Sequence, residues 1–318
     1  MHLPERLQYF PISFFAMIMG LAGLSIAWRK AQQVLGISPA LDSLVGLLAG
    51  LAFIALAGLY LGKFLNYPDA VEEELKHPIK LNFFPTISIS LILLSVIALP
   101  YSHGLAAALW IVGSLLHLLL TQYVLNSWIH HEHYEIHHIN PAWFIPVVGN
   151  VLIPITGMDL GYPEISWFFF STGIIFWLVL FTIIFNRVLF HHPLPDRLMP
   201  TFFILIAPPA AGFIAYVKLN GDIDNFARVL YYGGLFLTLM FFTQGRRFVK
   251  LPFALSWWAY SFPIAAITIA TLLMFERTGA EMFLYLGISL LALLSLIVCY
   301  LIYRTALAVR GGKICQPE

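Results

Sequence analysis

Fourteen residues, WIHHEHYEIHHINP from Trp128 to Pro141, gather five histidines and two glutamates in an otherwise apolar chain. His133, His137 and His138 form the H-x-x-x-H-H pattern with which membrane di-iron enzymes hold metal, and histidines four apart share a helix face. Such an enzyme needs several boxes on one side of the membrane. The next candidate, His191-His192, lacks a partner three or four residues away, and His77 and His103 stand alone. A zinc carrier would also place His, Asp or Cys ligands inside its inner spans, and those segments carry none. The loop therefore reads as a solvated interfacial segment, with His133, His137 and His138 kept as weak metal candidates and a pH-responsive surface as the alternative role. No enzyme activity and no cofactor are expected.

The elements around this loop are membrane spans. Of 318 residues, 60% are hydrophobic and only 10% charged, where a soluble domain carries roughly 25% charged residues. Mean hydropathy is +0.85. The partner is thus a lipid bilayer, and no nucleic acid is expected. Cys299 and Cys315 supply no disulfide framework. MHLPER precedes an apolar run long enough to remain in the membrane, so no secretory signal peptide is expected. The expectation is an all-α integral membrane protein, one domain over residues 1–318. Ten apolar runs suit membrane helices: about 10–28, 41–65, 82–99, 104–127, 143–160, 164–188, 200–218, 226–244, 254–274 and 281–304. Short connections make neighbours antiparallel hairpins.

Proline recurs in the odd spans and is missing from the even ones. Pro11, Pro85, Pro146, Pro208 and Pro263 follow one another at intervals of 55 to 74 residues, with Pro209 beside Pro208. Such a beat suggests five copies of a helical hairpin. Proline breaks a backbone hydrogen bond, and a freed carbonyl survives only against protein or a water-lined cavity. The odd spans should therefore form a kinked inner ring around a pore, with the even spans facing lipid. Ser13, Ser88, Asn150 and Ser261 on odd spans agree with this, and they join the prolines as pore-lining or kink candidates.

Lysine and arginine set the orientation. One side holds Arg6, Lys63, Lys80, Arg187, Arg197, Arg304 and Lys313 among others, while the opposite side holds Arg29, Lys30, Lys218, Arg228 and Arg277. Both termini should face the cytoplasm. Arg246, Arg247 and Lys250, just before the ninth span, are candidates for concentrating anions at the cytoplasmic mouth. No Asp, Glu, Lys or Arg lies midway along an odd span, and His117, in the fourth span, is the lone candidate for a proton relay.

Three stretches resemble a known family. YFPISFFAMIMGLAGLSIAW (9–28), HPIKLNFFPTISISLILLS (77–95) and WWAYSFPIAA (257–266) are similar to the tellurite-resistance/dicarboxylate transporter family, and to its bacterial TehA-type members in particular. That family includes fungal malate permeases and plant guard-cell slow anion channels. The resemblance implies ten helices in five hairpins, in a quasi-fivefold ring, and a homotrimer of separate pores in a bacterial inner membrane. It also implies anion conduction gated by a phenylalanine before the kinking proline of the ninth helix, which in Tyr260-Ser261-Phe262-Pro263 is Phe262. Two departures limit the likeness. Where some relatives carry glycine near the kinks, this chain has Ile12, Phe14 and Phe15, and Phe14 joins the pore-lining candidates. The long phosphorylated termini of the plant channels have no counterpart, so kinase control through such tails is not expected.

Two transport mechanisms remain. One is a channel for small anions such as chloride and nitrate, with tellurite and other oxyanions as further candidates. The other is a proton-coupled C4-dicarboxylate (malate) carrier. The lack of a buried carboxylate favours the channel.

Overall fold

A computed structural model describes residues 3–38, 40–130 and 134–316. Its described residues are helical, without strands. Among the described residues, nine helices are long and apolar enough to cross a membrane, and a tenth, shorter segment completes the series. In chain order they are α1 (Ile12–Leu35), α2 (Leu41–Asn66), α3 (Lys80–Ala98), α4 (His103–His130), α5 (Pro141–Gly157), α6 (Pro163–Phe190), α7 (Met199–Asn220), α8 (Asn225–Thr243), α9 (Leu255–Thr278) and α10 (Glu281–Arg310).

Odd and even helices differ in backbone. Each even helix is one uninterrupted α-helix. By contrast, α1, α3, α7 and α9 begin as a 3₁₀ turn and continue as α-helix from Ala16, Pro85, Ala207 and Ser261. A 3₁₀ turn bonds i to i+3 and rarely runs far. Pro85, Pro208 and Pro263 stand in the first turn of the α-helical part, where a missing N–H costs least. Pro85, Pro208 and Pro263 thus mark the change from 3₁₀ to α-helix within their spans, and Pro11 precedes its 3₁₀ turn. The fifth of the expected spans is broken further: with Pro141, Pro146 and Pro154, α5 alternates four short 3₁₀ and α pieces.

Burial divides the same two sets. The most apolar stretch of α1, α3, α7 and α9 is 67, 78, 67 and 83% buried, against 17 to 39% for the even helices. Large exposed side chains such as Ile54, Leu115, Ile175, Phe236 and Leu296 all stand on even helices. Contacts run α1–α3, α3–α5, α5–α7, α7–α9 and back from α9 to α1, so the inner helices close a circuit. Small residues permit the last contact: a Cβ on Gly20 would lie 2.3 Å from Ser261 Oγ.

Helix ends run past the apolar stretches where charges are paired. Arg29 bonds Asp42 at 3.0 Å and the carbonyls of Val96 and Ile97, and Lys30 bonds Glu276 at 2.6 Å, so α1 continues to Leu35.

Candidate functional site

The inner helices all begin at the same end of the molecule, and their starts surround a cavity of about 1550 Å³. The starts of α1, α3 and α5 are finished by neighbouring side chains, because the first N–H groups of a helix lack internal partners. The Ile12 N–H donates to Glu74 Oε1, and Lys63 Nζ donates to Glu74 Oε2 at 2.8 Å and to the Phe10 carbonyl at 3.0 Å. Tyr60 adds a third donor to Glu74. His77 Nδ1 accepts from Ile79 and Lys80, and Asn140 Oδ1 accepts from Ala142.

Among the charged side chains of this vestibule, basic ones outnumber acidic ones. Lys80, Arg197, Arg304 and Lys313 line it together with the Lys63–Glu74 pair and Glu73. Both ends of the described chain lie here too, with Gln8 and Tyr9 from one and Lys313 to Gln316 from the other. Burial pushes the Cys315 thiol above its ordinary pKa despite Arg6 and Lys63, so it adds no negative charge near neutral pH. The helix starts contribute their partial positive ends as well.

A second, much smaller cavity of about 40 Å³ lies on the same axis, lined by residues of α1, α3, α5, α7 and α9. Its lining side chains are all apolar. Leu152, Ala211 and Phe262 line both cavities and so stand between them. Phe262 is 9% exposed, and it is the one aromatic ring in the smaller lining. Gly23 lets that ring approach α1: a Cβ there would sit 3.3 Å from Phe262 Cδ2 and 2.8 Å from the Ala265 methyl.

Of the candidates drawn from sequence, Pro11, Ser13, Pro208, Phe262 and Pro263 line the vestibule. Phe14, Pro85, Ser88, Pro146, Asn150, Pro209 and Ser261 lie outside both linings. Several of these polar groups serve the irregular backbone instead. Ser88 donates to the Pro85 carbonyl, Ser261 to Trp258 and Asn150 to Val147, each three residues back. Phe14 stacks on Phe10 at 4.7 Å. Arg246, Arg247 and Lys250 are exposed in the α8–α9 connection and are not among the lining residues.

His77 lines the vestibule, and the other described histidines sit apart from both cavities. His117 is fully buried behind α5, its Nδ1 2.9 Å from Ser88 Oγ. His133 lies outside the described residues. His137 pairs with Glu135 at 3.1 Å, and His138 accepts from the Glu135 N–H. Among the described residues no cluster of three or more His, Cys, Asp or Glu is placed to hold a metal ion.

Sequence reasoning counted Lys80, Arg197, Arg304 and Lys313 only as topology signals. Their shared feature is adjacency to the starts of α3, α7 and α9 and to the end of α10, which the chain order hides.

These features define a polytopic membrane protein whose inner helices enclose two cavities divided by one aromatic ring. The model of the SLAC1 family, described as voltage-dependent anion channel, matches residues 9–306, and the chain belongs to this family. The family consists of channels and transporters, not enzymes. The S-type anion channel SLAH2 of Arabidopsis thaliana is 30% identical over 83% of this chain and 52% of its own length. An uncharacterised transporter of Methanocaldococcus jannaschii is 27% identical over 99% of both chains, and the tellurite resistance protein TehA homolog of Haemophilus influenzae is 26% identical over 81% and 79%. The chain spans about half the length of SLAH2.

Proposed function

We propose that this chain passes small inorganic anions passively along the axis of its inner helices, with Phe262 as the gate. The observation that carries the reading is that Phe262, with Leu152 and Ala211, borders both cavities. A ring held between a wet vestibule and an apolar passage excludes water, and therefore ions, until its χ angles change.

Lys80, Arg197, Arg304 and Lys313 would raise the anion concentration in front of this ring. Beyond it, apolar walls replace none of an ion's hydration shell. Anions that lose water cheaply should pass best, so nitrate should exceed chloride, with tellurite and other oxyanions as further candidates. Proton-coupled malate transport would need an ionisable relay, and the narrow lining offers none. The positive vestibule end then faces the cytoplasm of a bacterial cell, with both termini inside. A quasi-fivefold order of hairpins and a homotrimer of separate pores belong to the same proposal, on the family resemblance.

Phe262→Ala should raise anion conductance sharply in planar bilayers. Unchanged current from protein correctly inserted in the membrane would remove Phe262 from the gate. Reversal potentials in chloride, nitrate and malate at two pH values should follow the anion gradient alone; a shift with the proton gradient would favour the carrier. Native mass spectrometry checks the trimer.

A further inference from the structure

Past Phe262, the smaller cavity is bordered by a set of side chains with one regularity. Ile26, Val96, Ile155, Ile214 and Ile269 come one each from α1, α3, α5, α7 and α9. Each stands three residues after another lining residue: Gly23, Leu93, Leu152, Ala211 and Ala266. The earlier layer is buried, whereas all five members of the later layer are half-buried. About one helical turn separates the layers, and the second layer is the more solvent-exposed of the two.

The side-chain type is shared as well as the position. All five are β-branched aliphatics, which in a helix hold one strongly preferred χ1. Phe262 can swing a whole ring about χ1 and χ2, whereas the restricted χ1 of this layer leaves only its outer methyl groups to move. Nearby, on the far side, the helix ends are tied by ion pairs. Lys218 on α7 bonds Asp159 at 2.8 Å, just past the end of α5, and Lys30 on α1 bonds Glu276 on α9 at 2.6 Å. These partly exposed pairs connect the helix ends around the far mouth.

We propose that Ile26, Val96, Ile155, Ile214 and Ile269 form a second, fixed apolar barrier in series with Phe262, and that this ring sets selectivity among anions. The proposal rests on the pore reading above and divides its labour: Phe262 decides whether the path is open, the ring decides which anions cross. Conduction through barriers in series is limited by the higher one. With Phe262 in place the ring is hidden; with Phe262 removed the ring should govern.

The test compares Phe262→Ala with the triple variant Phe262→Ala, Ile155→Thr, Ile214→Thr in planar bilayers. Threonine keeps the β-branch and adds a hydroxyl that can replace lost hydration. Chloride current should rise severalfold and the nitrate-over-chloride preference should fall toward unity. An unchanged permeability ratio would overturn the ring's role.

A second measurement does not depend on the gate. In a chain carrying Cys299→Ser, Cys315→Ser and Ala266→Cys, a membrane-impermeant methanethiosulfonate is added from the Lys218 side. The cysteine should be protected while the ring is intact and become labelled when Ile155→Ala and Ile214→Ala are added. Labelling through the intact ring, or protection after its removal, would sink the proposal. Failure of Phe262→Ala to conduct would instead count against the gate, leaving the labelling result to decide the ring.

Discussion

The inner and outer helices are built from similar residues and solve different problems. An outer helix such as α2 keeps every backbone bond inside a continuous helix and turns Leu47, Leu51 and Ile54 outward. An inner helix such as α3 begins as a 3₁₀ turn, carries Pro85 and recruits Thr86, Ser88, Ser90 and Ser95 to bond carbonyls three or four residues back. Serine and threonine can bond carbonyls locally, and Thr172, Thr238 and Ser295 do so on the continuous outer helices as well. Polar composition on an inner helix is thus only indirect evidence of a wet passage.

The sharpest way to break this comparison is at the buried charge that anchors the start of α1. Lys63 and Glu74 side chains are 2% and 8% exposed and bond at 2.8 Å. Lys63→Met would leave a carboxylate desolvated without its cation, a loss of about 3–5 kcal/mol. Thermal unfolding in detergent should show it, and adding Glu74→Gln should restore much of the loss. A Lys63→Met chain as stable as wild type would mean that water reaches Glu74 from the vestibule. Lys76–Glu72, an exposed pair one turn apart, offers the contrast: breaking it should leave stability unchanged within error.

Glycines extend the contrast. Gly20→Ala on α1 drives a methyl into Ser261, whose Cβ would be 2.9 Å away, and overpacking of this kind costs about 1–3 kcal/mol. Gly58→Ala on α2 meets nothing within 4 Å and should be neutral or stabilising, since alanine is the better helix former. Equal effects at the two sites would erase the inner–outer distinction. Ser261→Ala, which removes a back-bond to Trp258, should cost about 1 kcal/mol.

Much of this division was legible in the chain. Proline spacing marked the odd segments, and their burial matches. What sequence could not supply was the face each inner helix turns to the axis. These helices are buried nearly all round, so hydrophobic periodicity carries no direction. Ser88, Asn150 and Ser261 looked like pore residues because they are polar, yet each donates to a carbonyl three residues back and lies outside both cavity linings. Ile214 and Ile269 border the axis, and nothing in their residue type sets them apart from packing residues elsewhere in the chain. The interruption of α5 was marked by Pro146 and Pro154, but its shortening to four pieces was not.

The smallest expected effect concerns which cations the passing ion meets. Arg246, Arg247 and Lys250 form the densest basic cluster in the sequence, but they are exposed and outside the vestibule lining. Lys80 and Arg197 are far apart in sequence and share that lining. Exposed charges farther from an ion than the Debye length, about 8 Å at physiological salt, are largely screened. In the Phe262→Ala background, Lys80→Gln with Arg197→Gln should lower chloride current a few-fold at low ionic strength and hardly at all in concentrated salt. Arg246→Gln with Arg247→Gln should lower it less under both conditions. If the second pair has the larger effect, the ion's approach runs past the α8–α9 connection, and the vestibule is not its main antechamber.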